Sequence, residues 1–353
     1  MTEYLDLYDA EKRPLGRTMQ RGKPIPPGTY AVVVQVMTVS REGRILVTKR
    51  APEKKHAGQW EITGGAKRAG ESERTAVCRE LMEETGITAK QDELLFCGAT
   101  RCDQVLFVYY LFISDVSAND PVILQPGETA EAKWLTVSEF AELIATEDYT
   151  GTEPKLLCSL YSGLLHGHQP SETSYRYRRR EKRLSEQLDL FDSYRRPVGV
   201  RITRGRSAPP DTYRLIVSVL TLRPDGRILL TRRAPQKSYA GRWEISGGCV
   251  QAGETIRQAA VRELWEETGI LCRTEDLEPR GFHRGRNVHF CYFLLRRDVT
   301  LTEVRLQHGE TDAADFVTTG EFRKLLSEDK TITAESLLIC RQFPELFGRP
   351  SIK

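Results

Sequence analysis

The chain is poor in cysteine, has no long apolar run and carries almost no excess of charge of either sign. Eight cysteines in 353 residues, with no CxxC pair, are too sparse for a disulfide scaffold, and reduced thiols are expected. No uninterrupted apolar stretch approaches the roughly 18 residues that a membrane span needs. The opening Met1-Thr2-Glu3-Tyr4-Leu5-Asp6 has neither a basic region nor an apolar core. No secretory leader is read there, and a cytoplasmic location is expected. The net charge of +3, from 52 basic and 49 acidic residues, singles out no class of partner. What is present is a globular composition, 39% hydrophobic and 29% charged. At about 150 residues per domain, that length suggests two domains or three.

The chain is one unit written twice. Leu5-Asp6-Leu7-Tyr8-Asp9 returns as Leu188-Asp189-Leu190-Phe191-Asp192, an offset of 183. The same offset carries Arg50-Ala51-Pro52 onto Arg233-Ala234-Pro235, and 18 of the 28 residues in 60–87 are identical in 243–270. A period this long is a duplicated domain, since solenoid repeats run about 20–50 residues. Domains are expected at 1–170 and 184–353, joined by a basic linker at 171–183 that holds the run Arg176-Tyr-Arg-Arg-Arg-Glu-Lys-Arg183. That run is the one feature favouring nucleic acid, and no binding motif accompanies it, so a solvated linker is the preferred reading. The paired His166 and His168 lack Cys or Asp at metal spacing, so zinc is not expected. Cys158 and Cys340 match across the repeats and read as small buried apolar residues.

Periodicity gives the order of elements in each unit. Strands are expected at 30–39, 44–49, 60–63, 94–97 and 105–113, and helices at 72–85 and 137–144. Ser72 is placed to cap the first helix and Gly86 to stop it. Strands pairing around two or more helices indicate an α/β layer fold.

The densest chemistry lies on the first helix. Glu80, Glu83 and Glu84 stand at i, i+3 and i+4 and share one face, where like charges repel by a few tenths of a kcal/mol per pair. Clustered hard oxygen donors suit Mg²⁺ or Mn²⁺, and a partly hydrated ion leaves positions for phosphate oxygens. Glu71 and Arg79 can pair to hold the preceding loop against the helix. Glu254, Arg262, Glu263, Glu266 and Glu267 repeat the set.

Gly65-x5-Glu71-x7-Arg79-Glu80-Leu81-x-Glu83-Glu84-x-Gly86-Ile87 resembles a complete Nudix box, and a second runs from Gly248 to Ile270. Each unit is similar to a Nudix domain of the branch that includes isopentenyl-diphosphate-isomerase-like hydrolases, through Leu-Asp-Leu-Tyr-Asp, Lys49-Arg-Ala-Pro52 and Gly58-x-Trp60. The resemblance implies two tandem α/β/α sandwiches on mixed sheets. It implies metal-dependent cleavage of a diphosphate linkage in a nucleoside diphosphate derivative or a related small-molecule diphosphate. It also implies Glu80 and Glu84 as metal ligands, Glu83 as a direct or water-mediated one, and Arg79 as the residue orienting Glu80. Glu71 then supports the site, and the Gly64 carbonyl completes the coordination. In the second unit these are Glu263, Glu267, Glu266, Arg262, Glu254 and Gly247.

Family members take as general base either a box glutamate or one from a later loop, for which Glu128 and Glu310 are the matched candidates. Glu131 is set aside because position 313 is alanine. Arg50, Arg233, Trp60 and Trp243 are candidates for substrate contact. Two rival readings remain beside hydrolysis. An allylic diphosphate isomerase needs a protonating cysteine after the Trp strand, and Trp60-Glu-Ile-Thr-Gly-Gly65 has none, while Cys249 is offset and unmatched in the first unit. A catalytically silent binding module is expected to show decayed boxes, and both are complete. The tandem domains are also candidates to pair with each other, and the two sites are expected to differ at His56/Tyr239, Leu106/His289 and 99–103/282–286.

Overall fold

A computed structural model describes residues 2–152, 157–158, 160–165, 182–183, 185–307, 310–331 and 333–347. Nearly all of the 171–183 linker, and both His166 and His168, lie outside the described residues. The chain forms two compact units, Met1–Tyr161 with Gly167–Leu184, and Ser162–His166 with Ser185–Lys353.

In unit 1 a hairpin of β1 (Tyr4–Tyr8) and β2 (Pro14–Gln20) precedes a mixed sheet. The central strand β3 (Ala31–Val39) is almost all β-branched and apolar, as suits a strand covered on both faces. It pairs parallel with β8 (Val105–Ile113) and antiparallel with β4 (Ile45–Arg50) and β6 (Gly64–Ala66). β5 (Trp60–Glu61) and β9 (Thr129–Leu135) pair with β4, and β7 (Leu94–Cys102) with β8. β10 (Lys182–Arg183) then pairs along the outer side of β7.

Alternation sorts β3 into two faces. Val32, Val34 and Val36 pack with Ala76, Val77 and Leu81 of α1 (Glu73–Thr85). On the other face Gln35 accepts from Thr152, whose hydroxyl also meets Tyr109 at 2.6 Å, while α2 (Val137–Ile144) buries Phe140 against Tyr149. Ser72 caps α1 by accepting from the Thr75 amide, and Gly86 ends it at φ 71°.

Unit 2 repeats the plan. The hairpin is β11 (Gln187–Phe191) with β12 (Pro197–Thr203). The sheet runs β15 (Trp243–Glu244), β14 (Ile228–Arg233), β13 (Arg214–Leu222), β18 (Val288–Arg296) and β17 (Leu277–Arg284). β16 (Ser246–Cys249) joins β13, and β19 (Thr311–Val317) joins β14. α3 (Ser162–Leu165) packs on α4 (Ile256–Thr268), with Gly163 against Trp265. Phe322 of α5 (Thr319–Ser327), Ile339 of α6 (Thr333–Gln342) and Phe347 of α7 (Pro344–Phe347) cover the face with Leu220 and Leu294. Each unit is thus an α/β sandwich on a mixed sheet.

Three details differ from the sequence reading. The glycines after Trp60 do not end a strand but form β6 against β3, so close that a Cβ on Gly64 would lie 2.3 Å from the Val34 carbonyl oxygen. β7 continues past Cys97 through an irregularity between Phe96 and Gly98, which breaks the apolar pattern. Cys158 and Cys340 are half-buried.

Candidate active site

Each site forms where the box helix meets the glycine strand. Arg79, its side chain 15% exposed, gathers three carboxylates. Its Nη2 donates to Glu71 Oε1 at 2.7 Å, and its Nη1 to Glu80 Oε1 at 2.7 Å and Glu83 Oε2 at 3.2 Å. A further bond to the Ala66 carbonyl at 3.1 Å ties the helix to β6. In unit 2 Arg262 makes the same set at only 1% exposure: Glu254 at 2.7 Å, Glu263 at 2.8 Å, Glu266 at 3.1 Å and the Cys249 carbonyl at 2.9 Å.

Gly65 and Gly248 admit these carboxylates. A Cβ on Gly65 would stand 2.2 Å from Glu80 Oε1, and one on Gly248 2.4 Å from Glu263 Oε1. Burial raises the Glu80 carboxyl above its ordinary range, although the bond to Arg79 pulls it back. Glu84 is only 8% exposed, and its Oε2 is buried without a hydrogen-bond partner. Burial pushes it well above the usual carboxylate range, the negative Glu61 and Glu80 push the same way, and the Gly64 amide opposes them. Glu267 stands likewise among Glu244 and Glu263, with the Gly247 amide donating at 3.2 Å. The described bonds of Gly64 and Gly247 to these glutamates therefore come from their amides.

A second ring of charge closes on the same group. Arg50 Nη1 lies 2.6 Å from both oxygens of Glu61, and Arg233 Nη1 2.8 Å from both oxygens of Glu244. Lys54 pairs with Glu128 and Lys237 with Glu310. The Ala51 and Ala234 amides donate to the Glu128 and Glu310 carbonyls at 2.9 Å, fixing each late loop to the segment after β4 or β14. Trp60 is buried beneath Lys133, 4.0 Å from the ring centroid, whereas Trp243 is half-buried with Arg232 at 5.8 Å.

A family model for the NUDIX domain matches residues 29–155 and again 212–336. The chain belongs to the Nudix family. An uncharacterized Nudix hydrolase of Listeria monocytogenes is 30% identical over 149 residues, spanning 42% of this chain and 88% of that protein. The RNA pyrophosphohydrolase of Sphingopyxis alaskensis is 28% identical over 133 residues, 32% of this chain and 83% of that one. Escherichia coli CTP pyrophosphohydrolase is 56% identical over 46 residues, 13% of this chain and 34% of that protein. A crystal structure from Deinococcus radiodurans overlays at a TM-score of 0.39 and 22% identity, covering 45% of this chain and 99% of that one.

Within this Nudix site, sequence reasoning named the box and the late-loop glutamates but passed over Glu61, Glu244, Lys54 and Lys237. Their signal was available, since each pair is identical at the 183-residue offset. Of the wall positions expected to differ between the copies, His289 belongs to the hairpin contact. His289 is buried, packed at a 31° tilt against Tyr213 with ring centroids 4.6 Å apart and bonded to the Asp192 carbonyl at 3.0 Å, so it clamps the hairpin to the sheet.

Among the described residues no three acidic, His or Cys side chains already converge at ligating geometry. Arg79 and Arg262 hold part of the set instead. The donors nevertheless fit a hard divalent cation: all are carboxylates, Glu84 Oε2 lacks a partner, and the mutual repulsion of half-buried Glu61 with buried Glu80 and Glu84 is what a cation relieves.

Proposed function

We propose that each unit of this pyrophosphohydrolase hydrolyses the diphosphate linkage of a nucleoside diphosphate derivative or related organic diphosphate at its own Mg²⁺- or Mn²⁺-dependent site. The observation that carries this reading is the buried, under-compensated carboxylate group around Glu84, built again around Glu267. Glu80 and Glu84 would hold the metal directly and Glu83 directly or through water, with Glu71 and the Gly64 carbonyl in support. Glu263, Glu267, Glu266, Glu254 and Gly247 take the same parts in unit 2. A divalent ion bound there offsets diphosphate charge and lowers the pKa of an attacking water.

The chain's own residues do the positioning. Arg79 and Arg262 fix the orientation of Glu80 and Glu263 through short bonds. Glu128 and Glu310, carried on late loops and paired with Lys54 and Lys237, would accept the water's proton, and the box glutamates Glu80 and Glu263 are the alternative acceptors. Arg50 and Arg233 bring positive charge to the rim while holding Glu61 and Glu244, so substrate phosphate would compete with those carboxylates for them. Trp60 supports the strand that carries Glu61, and Trp243 is the more accessible aromatic for substrate.

The test is phosphate release from a nucleotide panel, with Mg²⁺, with Mn²⁺ and in excess chelator. Glu80→Gln and Glu263→Gln should each silence one site, and only the double variant should be inactive. Loss of all turnover in either single variant would exclude independent sites, and full activity in chelator would exclude the metal.

A further inference from the structure

Outside the box, the two copies differ in chemistry on one face of unit 2. The tip of its hairpin brings Arg195 onto the outermost strand of the sheet, with the guanidinium carbon 3.9 Å from the centroid of Phe282. Phe282 is 44% exposed, an unusual place for a large apolar ring. Arg284 follows two residues later on β17, and so on the same side of the strand, with Arg286 in the turn beyond it. Arg195, Arg284 and Arg286 are all exposed, and no described carboxylate pairs with any of them. Tyr194, 75% exposed, extends the surface with the Arg196 guanidinium 5.1 Å from its ring.

The same places in unit 1 are silent. Lys12, the counterpart of Arg195, is held by Glu73 at 2.8 Å. Ala99 stands for Phe282 and Asp103 for Arg286, while Arg101 lies over Tyr30 and donates to the Ala10 carbonyl. Unpaired guanidiniums beside a half-exposed ring, one of them stacked on it, serve two ligand features at once. The charges take successive phosphates, and the Arg195–Phe282 stack offers a planar platform to any base. An isolated anion uses only the first feature, and an apolar partner only the second.

We propose that the face formed by Arg195, Phe282, Arg284 and Arg286 is a binding site for single-stranded nucleic acid, separate from the box residues and present in unit 2 alone. The site reads the backbone by charge and the bases by stacking, with no sequence preference. Residues 87 apart in the chain create it, so no basic run announces it.

Fluorescence anisotropy of the intact protein with fluorescein-labelled dT12 and U12 tests this at 50 and 200 mM salt. Binding should weaken with salt, and removing the three unpaired arginines together should flatten the log–log slope by about two, at roughly 0.7 per phosphate contact on a single strand. Phe282→Ala alone should weaken binding roughly tenfold or more at unchanged slope, as loss of a stacked base predicts. Arg195→Lys should keep the slope and lose part of the affinity. Thermal melting of each variant checks folding, and Lys12→Ala in unit 1 is the control that should change nothing. No binding at 50 mM salt would overturn the proposal, as would indifference to Phe282→Ala or equal competition by inorganic triphosphate. Binding to anionic phospholipid vesicles but not to the oligonucleotides would assign the face to a membrane instead.

Discussion

Identical hydrogen bonds in unequal solvent make the two box arginines an internal experiment. Arg79 and Arg262 each contact three glutamates and one backbone carbonyl, but their side chains are 15% and 1% exposed. Two of the three partner pairs follow suit, at 13% against 1% for Glu71 and Glu254 and 35% against 13% for Glu83 and Glu266, while Glu80 and Glu263 are alike at 10% and 11%. Replacing Arg262 with methionine strands three carboxylates in a dry setting, and breaking a buried ion group in this way costs about 3–5 kcal/mol. Replacing Arg79 leaves Glu71 and Glu83 nearer to water than their counterparts, so the penalty falls to about 1–2 kcal/mol. For domains of this size, 1 kcal/mol moves the melting temperature by about 2–4 °C. Arg262→Met should therefore lower the unit 2 transition by roughly 10 °C, and Arg79→Met should lower that of unit 1 by only a few. The assay is calorimetry of the intact chain in excess chelator, with hydrogen exchange over α1 and α4 assigning each transition. Equal penalties, or a larger one at Arg79, would refute the dependence on burial.

Further outcomes follow from the same geometry. Gly65→Ala and Gly248→Ala should each remove the activity of their own site, because the added methyl overlaps the Glu80 or Glu263 carboxylate, and metal titration should show weakened affinity. Glu84→Gln should raise the melting temperature of metal-free protein at pH 8 while abolishing stabilisation by Mg²⁺. Because folding raises the Glu84 pKa, the folded state binds more protons between the unfolded and folded values. Metal-free stability should thus rise as pH falls through that window, and less steeply in the variant; a destabilised Glu84→Gln protein at pH 8 would count against it. Gly86→Ala should cost about 1 kcal/mol or more, measurable by urea melting, since φ is 71° and the methyl would meet Ile123 at 2.8 Å.

The sequence made the site's donors legible because they lie within one short helix, where spacing alone sets the face. Ser72 and Gly86 bound that helix, and the structure places it at Glu73–Thr85. β8 and α2 fall where periodicity puts them, since both are apolar and locally uniform. The hairpin β1–β2 was not legible, because β2 is polar and exposed except at Met19 and offers no alternation to read. β9 was hidden for a like reason, as Glu131 and Lys133 interrupt its apolar positions. The pairs Arg50–Glu61 and Lys54–Glu128 depend on strands and loops brought together in space, the second across 74 residues. Nothing in local pattern encodes such a meeting.

The two residues of β10 bear on how this chain can be cut. A sheet's outermost strand offers unpaired backbone groups to any passing strand, and proteins blunt such edges by covering them or by charging them. Lys182 and Arg183 cover part of β7 in unit 1, opposite Arg101 and Thr100. In unit 2 the equivalent strand β17 ends its sheet and carries arginines instead. A fragment ending at residue 170 would contain the box and the Glu128 loop of unit 1 and still leave Thr100 and Arg101 without their cover. Such a fragment should self-associate through that bare edge, whereas one extended to residue 184 should remain monomeric.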